Sequence, residues 1–144
     1  MKYTVSVDIQ APRQQVVDRF QDPEDIKKWQ PDFVGFKVLS GEPGQKGSKT
    51  ELTHQMGRRR VVMEETILEN QLPERFDAYY AAPGAKNWIE NHFTALDKQT
   101  TRWVMHSEFK CSGFLRVMAA LAPGMFRKQS QKTLDLFKTM MEEA

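Results

Sequence analysis

Residues Ser112 to Glu143 form the one long stretch of this 144-residue chain that reads as helix, and that stretch dictates what the rest must supply. Leu115, Met118, Ala119, Ala122, Phe126, Leu134, Phe137 and Met141 recur at helical spacings and make an apolar stripe. Lys128, Gln129, Gln131, Lys132, Asp135 and Lys138 fall mostly on the other side. Pro123-Gly124 interrupts the run, which predicts a kink or a break into two helices. A helix with one greasy face this long needs a broad apolar surface to lie on, and the residues before it read mainly as strands.

Lys2 to Gln10 alternates, with Tyr3, Val5, Val7 and Ile9 on one face of a half-buried strand. Ala11-Pro12 ends it and opens a short helix carrying Val16, Val17 and Phe20. Asp22-Pro23 restarts the chain, with Asp22 expected to cap a second short helix that buries Ile26 and Trp29. Six further strands follow: Phe33 to Ser40, Ser48 to Met56, Arg59 to Leu68, Glu74 to Ala81, Lys86 to Leu96 and Thr101 to Lys110. Their short connections make an antiparallel meander. The predicted class is α+β, a sheet with one face solvated and the other covered by the long helix. The length fits one domain, residues 1–144.

This order of elements resembles the helix-grip fold of the START and Bet v 1-like superfamily, in particular its bacterial polyketide cyclase/dehydrase-like branch. The residues that carry the likeness are Ile9-x-Ala11-Pro12 before Val16-Val17-x-x-Phe20, then Asp22-Pro23 and Trp29-x-Pro31-x-Phe33. Asn70-x-x-Pro73-Glu74-Arg75-Phe76 and Phe109-x-x-x-Gly113 complete it. The resemblance implies a curved seven-stranded antiparallel sheet wrapped around the C-terminal helix, two short helices after the first strand, and a cavity between sheet and helix. Members include lipid carriers, hormone binders and aromatic-polyketide cyclases, so the likeness fixes fold rather than activity.

Alternation sorts the strands. A turn at Gly57-Arg58 pairs Met56 with Arg59, His54 with Val61, Leu52 with Met63 and Thr50 with Glu65 on one face, which is taken as inward. Phe76, Ala78 and Tyr80 face inward on the next strand, and a hairpin at Pro83-Gly84 adds Asn87, Ile89, Asn91 and Phe93. Trp103, Met105, Ser107 and Phe109 are inward by composition. These last two assignments conflict across a four-residue turn at Asp97–Thr100 unless a bulge or an odd-length loop intervenes. The faces of Trp88 and His106 stay open on that account.

Chemistry-bearing groups are few. His54 is either a hydrogen-bonded core histidine or a pocket group that orients a ligand or moves a proton. Glu65 is either a rim carboxylate or a pocket acid whose pKa burial raises. Asn91 either anchors a ligand or closes a core network. Arg58-Arg59-Arg60 reads as a solvated hairpin tip or as a mouth that greets an anion. No metal-ligand spacing, phosphate loop or nucleophile elbow is present, and neither metal nor cofactor is expected. The lone Cys111 excludes an internal disulfide framework and fits a reducing cytoplasm. A net charge of +2 is too balanced to suggest nucleic-acid or membrane-surface binding. Tyr3-Thr4-Val5 and its flanks lack a signal-peptide core, and no run approaches the roughly 20 apolar residues of a membrane span.

The resulting expectation is a binder or carrier of a hydrophobic or amphipathic small molecule: a lipid, fatty acid, isoprenoid or polyketide-like compound. Phe33, Leu52, His54, Met56, Met63, Phe76, Tyr80, Asn91, Trp103, Met105, Phe109, Met118, Ala122 and Phe126 are the expected lining. His54, Tyr80, Asn91 and Trp103 are the candidate orienting groups, and Asp25 to Trp29 and Pro123-Gly124 would frame the mouth. Two alternatives stay open. One is a cyclase or dehydratase using His54 or Glu65 as acid or base, and the other is a protein-interaction module with a filled core. A weak homodimer is compatible with each.

Overall fold

The structure, a computed structural model, describes residues 1–143. Strand β1 (Lys2–Ile9) leads into helices α1 (Arg13–Gln21) and α2 (Ile26–Trp29). Strands β2 (Phe33–Ser40), β3 (Lys49–Met56), β4 (Arg59–Gln71), β5 (Arg75–Ala82), β6 (Ala85–Asp97) and β7 (Thr100–Cys111) follow, then α3 (Gly113–Leu121) and α4 (Met125–Glu142). The strands form one antiparallel sheet in the order β1-β7-β6-β5-β4-β3-β2. This is the helix-grip arrangement: a curved sheet closed over on one face by the C-terminal helix.

Turn chemistry fixes the registers. Gly57, at φ +62°, and Gly84, at φ +76°, occupy the left-handed conformation that tight hairpins demand. Met56 accordingly opposes Arg59, and Leu52 opposes Met63. Across the next hairpin Phe76 opposes Asn91 and Tyr80 opposes Asn87.

The conflict at the last hairpin is resolved by a bulge. Asp97 pairs with Thr100 and Ala95 with Thr101, so Leu96 is the extra residue and Phe93 meets Trp103. The same two-for-one irregularity inserts Val34 and Leu39 in β2 and Leu68 in β4. All four inserted residues are apolar and exposed. Each belongs to an adjacent apolar pair (Phe33-Val34, Val38-Leu39, Ile67-Leu68, Ala95-Leu96) that breaks alternation without losing the inward partner. Bulges add local twist, which is how this sheet curves.

The core lies under α4. Leu134, Phe137 and Met141 pack with Val5, Val7, Ile9, Val16, Val17, Trp29, Phe93, Trp103 and Met105. Phe137 meets Trp29 and Trp103 edge-on at centroid distances of 5.2 and 5.1 Å. Polar contacts bolt α4 to β1: the Tyr3 hydroxyl bonds Ser130 Oγ at 2.7 Å, and Gln131 Nε2 donates to the Ser6 carbonyl at 3.0 Å. Lys138 Nζ donates to the Asp8 carbonyl at 2.5 Å.

Asp22 does not cap α2. Its carboxylate accepts the Glu24 N–H at 2.9 Å, and α2 begins only after Asp25. Asp25 is buried against Arg19, which donates from Nε at 2.9 Å and Nη2 at 3.1 Å, and Lys28 adds a third contact at 2.9 Å. The Arg19 hydrogen bonds hold the Asp25 carboxyl down at about 2, against the opposing effect of its burial. Trp29 is buried among Phe20, Trp103 and Phe137, which anchors α2 in the packed core.

Candidate functional site

Over β3, β4 and β5 the helical cover of the inward face is thin: α1 reaches it through Phe20, whose ring meets Phe76 edge-on at a centroid distance of 5.6 Å. Among the described residues, the partly buried hydrophobics Phe20, Leu72 and Tyr80 pack against the small cluster of Ile67, Phe76 and Ala78. Leu52, Val61 and Met63 keep partial exposure although they share the core-facing side, and Phe36, Val38 and Met56 are exposed at its end. The result is a trough with an apolar floor. At its α3–α4 end Phe109 stacks on Phe126 at 4.4 Å. Half-buried Met118 and Ala122 lie on the side of α3 turned from solvent.

The expected site residues divide between this trough and the core. Phe33, Leu52, His54, Met56, Met63, Tyr80, Phe109, Met118, Ala122 and Phe126 belong to the trough and its margins. Phe76, Asn91, Trp103 and Met105 are buried in the packed clusters. The Trp103 indole N–H donates to Asn91 Oδ1 at 3.0 Å, and Asn91 Nδ2 donates to the Phe76 carbonyl at 3.1 Å. That closed network satisfies the buried amide and the indole together. Trp88 and His106 both lie on the outer face. Lys110 Nζ sits 5.4 Å over the Trp88 ring, and His106 Nδ1 meets Thr4 Oγ1 at 2.8 Å.

A polar row crosses the inward face where the pattern reading found only isolated groups. Tyr3 opposes Ser107, and Ser107 Oγ donates to Asn87 Oδ1 at 2.7 Å. Asn87 opposes Tyr80, Tyr80 opposes Glu65, and Glu65 opposes Thr50. Because registers were legible at two of these hairpins, the row could have been found by reading inward polar residues across strands instead of along them.

The row's central members are set deep yet keep accessible surface, as groups lining a recess do. Burial raises the Glu65 carboxyl above the usual carboxylate range, and the Tyr80 hydroxyl beside it holds the shift back. Burial, with the Glu65 charge, drives the Tyr80 phenol well above its ordinary value. His54, 9% exposed, stands edge-on to Phe33 at 5.7 Å. Desolvation lowers its pKa, with Asp32 opposing, so the ring is neutral at pH 7. The His54 side chain is buried beside Phe33 on the inward face. No group of three or more His, Cys, Asp or Glu among the described residues is placed to hold a metal ion. No helix among them is long and apolar enough to cross a membrane.

The sheet, the gripping helix and the trough between them define a helix-grip domain of the START and Bet v 1 kind. The chain belongs to the family described as polyketide cyclase/dehydrase and lipid transport, which matches residues 1–142. Solved structures share the fold at low identity. The Zhui aromatase/cyclase from Streptomyces sp. R1128 has a TM-score of 0.82 at 13% identity, covering 99% of this chain and 93% of that one. A START superfamily protein from Mycobacterium smegmatis gives 0.80 at 11%, covering 99% and 97%. Ara h 8.0201 gives 0.77 at 12%, covering 100% and 99%. No curated protein matches the chain in sequence.

Proposed function

We propose that the protein binds a neutral amphiphile in the trough, with the apolar body over Leu52, Met63 and Phe109 and a hydroxyl or carbonyl end at the Glu65–Tyr80 pair. The observation that carries this reading is the polar row: Thr50, Glu65, Tyr80 and Asn87 oppose one another across β3 to β6, on a partly exposed inward face that also carries Leu52, Val61 and Met63. Burying the apolar body supplies the affinity, at about 25 cal/mol per Å². A single hydroxyl or carbonyl would be fixed in direction by an acid and a phenol side by side.

The row holds a carboxyl and no cation, and His54 is neutral. A ligand carboxylate would meet either the Glu65 charge or a proton that Glu65 must first acquire. This narrows the ligand away from fatty acids, which the sequence left open. A matched pair tests it: a long-chain alcohol and the fatty acid of the same chain length, titrated at pH 8. The alcohol is expected to bind about tenfold or more tightly, with the gap closing in Glu65→Gln. Equal affinity for both, unchanged by Glu65→Gln, would sink the proposal.

A second reading is favoured by the same pair. A carboxyl with a raised pKa beside a phenol can move a proton at a carbon next to a carbonyl, the step that a cyclase or dehydratase needs. Turnover of a β-keto substrate that vanishes in both Glu65→Gln and Tyr80→Phe would support it. Activity surviving both changes would remove it.

A further inference from the structure

Helix α3 has no buried residue. Phe114, Val117 and Leu121 are 67%, 54% and 76% exposed, and at spacings of three and four they share one face. Leu115, Met118 and Ala119, half-buried, look the other way toward the trough. Large apolar side chains left in water along a whole helix face mark an interaction surface.

Charge says what covers it. From Ser112 to Leu134 the chain contains no acidic residue and four basic ones: Arg116, Arg127, Lys128 and Lys132. All four are exposed, and among the described residues none is paired with a carboxylate. Acidic residues elsewhere are already engaged: Asp8, Asp25, Glu69, Asp77 and Glu142 pair with Arg102, Arg19, Lys46, Arg75 and Lys138, all outside that stretch. Lys128 and Lys132 also border a depression floored by Ala122, Pro123 and Met125 at the α3–α4 corner. An apolar helix face whose stretch of chain carries basic and no acidic side chains repels a second copy of itself. It is complementary to a surface that is greasy beneath and negatively charged on top.

We infer that α3 docks the protein on the surface of an anionic lipid bilayer, with Phe114, Val117 and Leu121 entering the acyl boundary and Arg116, Arg127, Lys128 and Lys132 meeting the headgroups. The balanced net charge conceals this surface, because charge is segregated along the chain. Docking in this orientation turns the lip of the trough to the bilayer, a route by which an apolar ligand avoids water. The inference does not depend on the ligand reading, since docking is measured on lipid alone.

The test is co-sedimentation of the full chain with vesicles of phosphatidylcholine alone and of equal parts phosphatidylcholine and phosphatidylglycerol, at low and high salt. Binding is expected only to the anionic vesicles and is expected to weaken with salt. The double variant F114S/L121S, altered only at exposed positions, should lose about tenfold or more in vesicle affinity with an unchanged thermal melt. Arg127→Glu with Lys128→Glu should lose about as much. Three results would each overturn the inference. The wild type could fail to pellet with anionic vesicles, F114S/L121S could pellet like wild type, or sedimentation equilibrium could show a dimer that F114S/L121S dissociates. Glu65→Gln should dock like wild type, which separates failure of docking from failure of the ligand reading.

Discussion

Trp103 on β7 and Met56 on β3 both occupy inward positions of one sheet, yet Trp103 is 1% exposed and Met56 47%. The half of the sheet made by β1, β7 and β6 is filled by α1, α2 and α4, with Asn91 and the Trp103 indole paired inside a closed network. The half made by β3, β4 and β5 carries the same alternation but is covered by α1 through Phe20 alone among the described helical residues of its apolar cluster, and its polar groups stand in a row that keeps partial exposure. The contrast separates two uses of an inward residue. In one half it generates stability, and in the other it leaves room for something the chain itself does not provide.

Mutations should feel that boundary. Phe137→Ala, in the filled half, is expected to cost about 3–5 kcal/mol of unfolding free energy in urea. Met63→Ala, in the trough, should cost about 1 kcal/mol or less, because little surrounds the side chain to be lost. Equal costs would mean that the trough is packed and the comparison wrong. Next in size is Asn91→Ala, which strands the Trp103 indole N–H in the core and should cost about 2–3 kcal/mol by the same measurement.

Acid sharpens the comparison further. The Asp25 carboxyl sits near 2 when folded against 3.8 when free, so it stabilises the fold above about pH 4. That contribution is lost as pH falls from 4 towards 2. With solvent close to Arg19 and Lys28, it amounts to about 1–2 kcal/mol, and it should be missing from the pH–stability curve of Asp25→Asn. Glu65 has the opposite sign. Its folded pKa is raised, so its carboxyl favours folding below the free value of 4.5, and that advantage disappears as pH rises through the folded value. Glu65→Gln should therefore melt a few degrees higher than wild type at pH 7 and no higher at pH 4. A lower melting point at pH 7 would mean that the carboxylate is satisfied where it sits.

Much of this was legible because it is local. Gly57 and Gly84 set hairpin registers within a few residues, so the pairing of His54 with Val61 and of Tyr80 with Asn87 could be read directly. The bulges at Val34, Leu39, Leu68 and Leu96 were not placed, although adjacent apolar pairs marked each one. Strict alternation forces a choice between two such residues, whereas a bulge accommodates both. Asn91 and Trp103 looked alike as inward groups able to orient a ligand. Each instead satisfies the other, which depends on the β6–β7 register that the bulge at Leu96 sets.

The element order, the inward face of most strands and the break at Pro123-Gly124 are encoded locally, since periods of two and about 3.6 and the chemistry of proline and glycine act over a few residues. Which inward positions are filled and which keep exposure is a matter of long-range packing. That outcome turns on where α4 comes to rest, and it rests on β1, held by contacts of Tyr3, Ser6 and Asp8 with residues more than a hundred positions away. Periodicity tells a side chain which way to face, but a void is defined by what fails to arrive from the rest of the chain.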